Sequence, residues 1–379
     1  MPRHRDDRRC TGQGPRAGAP GLPARTLGAA LALLSAAATL LAPAGAAAQE
    51  EVRVVTTLPT YAAIAREVAG DRARVEAIAR GDEDPHFVTP RPSHAAKLQR
   101  ADLFVTTGLD LELWVPGLLD RAGNAGIVEG ADGHVAAYDG IELLQVPENA
   151  SRAGGDIHVF GNPHVHTDPV NGIRIARNIA RGLERIDPAG RATYRERLRA
   201  FEDEVLERTF GAEMIRLLGR ENLLTLALAR KFWSFARGQV RQGEPLTEYL
   251  GGWLAEAAPF RDRRMVCYHK NWAYFSARFR VECAMYVEAK PGIPPSPGHV
   301  RDVIDFVRSE SIPVVFGANY FSEKQVRRVA ERTGARAVIV PEHVGGAEGV
   351  DDYFALVDLW VDRLAEAFGG PATAGEGEG

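Results

Sequence analysis

Cysteine is scarce: the 379-residue chain has three, which excludes a small disulfide scaffold. An excess of one charge is missing too. Forty-six basic against 50 acidic side chains leave a net of -4 and no electrostatic footprint for nucleic acid. The first 48 residues hold six Arg and two acids, so the remainder carries 40 basic and 48 acidic side chains. That mildly acidic body gives no reason to expect an anionic partner. Nor is there a long hydrophobic run. The apolar stretch from Leu27 to Leu41 is about 15 residues, short of the ~20 that cross a bilayer. What remains is ordinary for a soluble globular protein, with 45% hydrophobic residues, 39 Gly and 23 Pro. At ~100–200 residues per domain the length fits two domains, each able to bury its own core.

The amino-terminal order is basic, apolar, then small. Arg3, Arg5, Arg8, Arg9, Arg16 and Arg25 precede the apolar run, and Ala46-Ala47-Ala48 follows it before Gln49. This reads as a signal peptide over residues 1–48. A lipid-anchored protein needs a Cys at the cleavage point, whereas Cys10 lies upstream of the apolar segment. The expectation is a soluble periplasmic protein, exported by its signal peptide and without a lipid anchor. Cys267 and Cys283 each sit in an apolar run, which favours buried free thiols; pairing in an oxidising compartment requires that their strands be neighbours.

From Val52 onward, β-branched runs alternate with helical periodicity. Val52–Thr57, Val75–Ala79 and Leu103–Thr107 read as strands, with helices at Tyr61–Val68, from Ser93 and around Trp114–Leu119. A second set has strands at Met265–Tyr268, Cys283–Val287, Ile312–Phe316 and Ala337–Val340, and a last helix from about Asp351 to Phe368. Such alternation predicts an α/β fold with parallel sheets covered by helices. Between the sets, Tyr194, Leu198, Phe201, Val205, Phe210, Met214 and Leu217 form one apolar stripe, predicting a single rigid helix of ~30 residues that braces both lobes. The chain therefore divides into an N-terminal lobe (49–186), a long linking helix (187–219), a helical insertion (220–262), a C-terminal lobe (263–370) and a disordered tail (371–379).

Three histidines stand where open parallel sheets place their chemistry, at or beyond strand carboxyl ends. His86 follows the second strand in Asp84-Pro85-His86, His164 lies in Asn162-Pro163-His164 ahead of a helix opened by Asp168-Pro169, and His269 directly follows the strand ending at Tyr268. Their wide spacing excludes a zinc finger and any short helical metal motif. A site drawing one ligand from each of several loops fits it. Asp84 or Glu83 can act as a base or orient His86 through its second ring nitrogen.

These pieces, with Pro90, Gly108-Leu109-Asp110-Leu111-Glu112-Leu113-Trp114 and Tyr274-Phe275 in matching order, resemble the zinc- and manganese-binding receptors of bacterial ABC importers. The resemblance runs from about Val52 to Phe368. It implies two lobes with the metal site in the cleft between them, and delivery of the ion to an ABC importer permease in the inner membrane. It also implies His86 and His164 as ligands from the first lobe and His269 as the first from the second. A His at that third position resembles the zinc receptors and a Glu the manganese receptors, so Zn(II) is expected as the transported ligand ahead of Mn(II), in keeping with the preference of imidazole for zinc.

The fourth position departs from the family pattern, since Val340 is followed by Pro341-Glu342-His343 where an Asp is common. Glu342 is the expected fourth ligand, with His343 or water as alternatives. His158 lies in a glycine-bracketed loop and reads as an accessory metal-capture residue; His166 reads as packing beside the site. His94, His134 and His299 lack strand-end placement and read as surface or capping residues. Competing functions are a Mn(II) or other divalent-metal receptor, a metal-dependent adhesin, and a hydrolase. The chain has no His-Glu-x-x-His, Gly-x-Ser-x-Gly or phosphate-binding glycine loop, so no enzyme is expected. A monomer is expected.

Overall fold

The computed structural model describes residues 51–147, 158–288 and 292–369, with Gly14 and Gly18. The signal-peptide reading, the 371–379 tail, and Gly154 and Gly155 of the histidine loop thus fall on residues outside the described ones. The first sheet is built from β1 (Val52–Thr56), β2 (Ala73–Ala77), β3 (Leu103–Thr106) and β4 (His134–Ala136). All pair in parallel, in the order β2-β1-β3-β4. Every residue of β3 is buried, as an apolar run covered on both faces requires. The covering helices Pro59–Ala69, Pro92–Gln99 and Val115–Ala122 each carry proline in the first turn, where its missing N–H costs nothing. Strand β4 escapes sequence reading because three residues with one buried side chain show no periodicity.

A two-residue ribbon of β5 (Val240–Arg241) and β6 (Glu244–Pro245) precedes the second sheet. That sheet comprises β7 (Arg264–Cys267), β8 (Glu282–Tyr286), β9 (Val314–Ala318) and β10 (Arg336–Val340), parallel in the order β10-β9-β7-β8. Both sheets reverse their winding beside the first strand of the set, which leaves a crevice at the carboxyl ends there. Cys267 and Cys283 are disulfide-bonded across β7 and β8, with Cα atoms 5.4 Å apart. The thiols are therefore not free, because adjacency in the sheet supplied the partner that the linear sequence did not show.

The stripe read as one ~30-residue helix is divided. Helix Arg191–Phe210 ends at Gly211, whose φ is 83°, and a separate helix Ala212–Leu218 follows. A Cβ at Gly211 would lie 2.5 Å from the Gly251 Cα, so two backbones cross where only glycine fits. The 220–262 segment then forms the short helices Arg220–Leu228, Phe232–Ala236 and Gly252–Glu256 around the β5–β6 ribbon. Its indoles anchor it: Trp233 Nε1 donates to the Arg278 carbonyl at 2.8 Å, and Trp253 Nε1 to Asp358 at 2.6 Å.

One apolar core runs through both halves, joining Val54, Phe104 and Ile179 to Phe275, Phe316 and Trp360. A smaller group around Val266, Val303, Val315 and Val329 fills the other face of the second sheet. Polar bonds clasp the halves beside the crevice. Arg278 grips Asp168 through two bonds of 2.8 and 2.9 Å, with both side chains at most 3% exposed. Tyr274 donates to the Asn162 carbonyl and the Asn162 amide to the Lys270 carbonyl, each at 2.7 Å.

Candidate metal centre

Two tripeptides build the first half of the site with the same device. In Asp84-Pro85-His86, the Asp84 Oδ1 accepts from the His86 backbone N–H at 3.0 Å and meets its Nδ1 at 2.7 Å. In Asn162-Pro163-His164, the Asn162 Oδ1 accepts from the His164 N–H at 3.0 Å and meets its Nδ1 at 2.9 Å. Each is an Asx turn with proline at the corner, and it fixes backbone and ring together. An oxygen acceptor on Nδ1 places that nitrogen's proton, so Nε2 carries the lone pair. His269, immediately past β7, repeats the arrangement by another route, through a close contact of its Nδ1 with the Glu288 carboxylate beyond β8.

The rings converge. Centroids of His86 lie 5.2 Å from His158, 5.2 Å from His164 and 5.6 Å from His269, and His164 lies 5.8 Å from His158 and 5.6 Å from His269. His86 Nε2 faces His158 Nε2 at 3.2 Å. Both His164 Nε2 and His269 Nε2 are buried with no hydrogen-bond partner among the described residues. The structure thus brings together the three histidines singled out in the sequence and adds His158 as a fourth ring, one ligand atom each of His86, His158 and His164 lying within 4.8 Å of one another. Such a set offers four ring nitrogens to a soft or borderline cation.

Glu342 and His343 follow β10 and belong to a different group. Their ligand atoms lie within 4.8 Å of each other and of a nitrogen of His166, and all three side chains are wholly buried. Glu342 is held there by the Asn271 amide at 2.5 Å and by the Tyr320 hydroxyl, which turn its carboxylate toward His166. His166, read as packing, is the residue whose role the sequence concealed. It occupies the 3-10 turn Val165–Thr167, two residues beyond His164, and its ring stacks on His343 with centroids 4.9 Å apart.

Burial sets the protonation of these groups. Desolvation, reinforced by the neighbouring imidazoles of His86 and His269, lowers His158 to about 3 and holds His164 well below the ordinary histidine value. His343 is lowered to about 3, first by burial and then by His166. For Glu342 burial acts upward, but His166, His343 and the Asn271 amide outweigh it and bring the carboxyl to about 2. Among the described residues, the other histidines are structural. His94 Nδ1 caps its own helix by accepting from the Arg91 N–H, His134 meets the Thr106 hydroxyl at 3.1 Å, and His299 Nε2 meets the Tyr286 carbonyl at 2.9 Å.

Two helix-covered parallel sheets with imidazoles gathered from strand ends of both define a two-lobed, cleft-type α/β protein. A family model described as zinc-uptake complex component A, periplasmic, matches residues 54–209 and 246–367, and the chain belongs to that family. The unmatched stretch between the two blocks contains most of the short helices and the ribbon. Among similar proteins, the iron-binding protein YfeA of Yersinia pestis is 27% identical, over 84% of this chain and 87% of its own. The high-affinity zinc uptake system protein ZnuA of Paracoccus denitrificans is 25% identical, over 89% and 98%. The manganese ABC transporter substrate-binding lipoprotein PsaA of Streptococcus pneumoniae is 24% identical, over 84% and 89%. The fold is shared with a crystal structure of ZnuA at a TM-score of 0.61 and 22% identity, covering 84% of this chain and 99% of that one. Among the described residues no helix is long and apolar enough to cross a membrane.

Proposed function

We propose that this protein is a periplasmic receptor that captures Zn(II) with His86, His158, His164 and His269 and delivers it to an ABC-type importer permease in the inner membrane. The observation that carries this reading is the common orientation of three rings, each with Nδ1 on an oxygen acceptor and Nε2 toward the shared centre. An all-imidazole set favours zinc over manganese, which prefers carboxylates and water. In this reading His158 takes the fourth place expected of Glu342, since its Nε2 reaches His86 while Glu342 is held by Asn271 and Tyr320. Residues 49–186 and 263–370 act as the two jaws. The buried Arg278–Asp168 pair limits their swing, so capture proceeds with little hinge closure.

Calorimetric titration of the mature protein with Zn(II), then with Mn(II) in competition, tests the proposal. Submicromolar zinc binding that survives excess manganese and is weakened in His269→Ala is expected. Displacement of zinc by manganese, or unchanged affinity in His269→Ala, overturns it.

A further inference from the structure

We propose that His166, Glu342 and His343 form a second divalent-cation site, of mixed imidazole and carboxylate character, buried directly beside the four-histidine centre. All three side chains are 0% exposed. Both ring nitrogens of His166, the Nε2 of His343 and the Oε1 of Glu342 have no hydrogen-bond partner among the described residues. Leaving a buried polar atom unpaired costs roughly 1–3 kcal/mol, so such a concentration at one point calls for an occupant.

The backs of Glu342 and His343 are secured while their fronts are not. Glu342 Oε2 accepts from the Asn271 amide and the Tyr320 hydroxyl, leaving Oε1 inward. His343 Nδ1 meets the Thr60 hydroxyl at 3.2 Å, leaving Nε2 inward. This is the same division of labour that positions the rings of the first centre. His166 Nε2 and Glu342 Oε1 approach to 3.1 Å without the alignment of a hydrogen bond. Two ligands about 2.0–2.2 Å from one ion at a tetrahedral angle are separated by roughly 3.3–3.6 Å, so the pair stands close to coordinating separation, with a modest opening or a bite angle of about 100° completing the fit. A simple His166–Glu342 ion pair would leave the inward nitrogen of His343 unpaired.

The ligand class differs from that of the first centre. Two imidazoles and one carboxylate suit zinc and also accept manganese or iron(II) better than an all-imidazole set does. His164 and His166 share one loop, with rings 6.4 Å apart, so a single short segment feeds both sites. The second site does not depend on which ion fills the first.

Anomalous diffraction at the zinc edge, on crystals of the mature wild-type chain with excess Zn(II), tests this without any substitution. Two peaks are expected, one among His86, His158, His164 and His269 and one among His166, Glu342 and His343, with two zinc per chain by elemental analysis. A peak at the second position alone would sustain this inference while removing the proposed capture site. Density there without anomalous signal, meaning an ordered water, overturns it. In solution, His343→Gln and the ring-preserving His166→Phe should each lower the stoichiometry from two to one; two zinc retained in both variants overturns it as well.

Discussion

Acidification distinguishes a buried histidine centre from a solvated one. Four free imidazoles would each lose a factor of roughly four in neutral fraction between about pH 7.5 and about pH 6.0, or roughly 200-fold together in zinc affinity. Here His158, lowered to about 3, and His164, held well below its ordinary value, are already neutral across that interval. Removing two of the four factors makes the acid dependence of zinc affinity correspondingly shallower than roughly 200-fold. The proton is felt instead in the stability of the metal-free chain. As pH falls below the unfolded value near 6.5, the unfolded state binds protons that the buried rings refuse, so stability is full above that pH and declines toward about 3, where His158 and His343 themselves titrate. Each such histidine shifts the folding equilibrium by up to about tenfold per pH unit inside that window. Competition against a chelator of known pH dependence, paired with urea unfolding of the metal-free protein, measures both. A 200-fold affinity loss with acid-insensitive stability would refute the reasoning.

Breaking the clasp between the halves with Arg278→Met leaves the buried Asp168 carboxylate unpaired, and should cost about 3–5 kcal/mol in urea unfolding. Loss of Asp84→Ala from the back of His86, or of Glu288→Gln from the back of His269, should weaken zinc binding about 10–100-fold by calorimetry with the fold unchanged by circular dichroism. Replacing Cys267 and Cys283 with serine should lower stability by about 2–4 kcal/mol and leave zinc affinity within a few-fold, since the bridge joins β7 and β8 and supplies no ligand.

Much of this architecture is legible in the chain because parallel strands buried on both faces announce themselves as apolar runs, and β3 and β9 do so throughout. The strand-end histidines were legible for the same reason, and the repeated Asx-Pro-His tripeptides carried the local signal for their orientation. What escaped depends on contacts far apart in sequence. Glu288 reaches His269 across neighbouring strands, His166 meets residues more than 170 positions later, and the helix break at Gly211 answers to Gly251. Strand adjacency likewise decided the fate of the two cysteines. The chemistry of Glu342 is legible as that of a ligand, but its neighbours are not, because its grouping with His166 and His343 is a contact distant in sequence.

The most direct measurement is the zinc anomalous difference map of crystals grown with one equivalent of Zn(II) per chain. The peak is expected within coordinating distance of the Nε2 atoms of His86, His158, His164 and His269. A peak centred on Glu342, with those four imidazoles unligated, would contradict it.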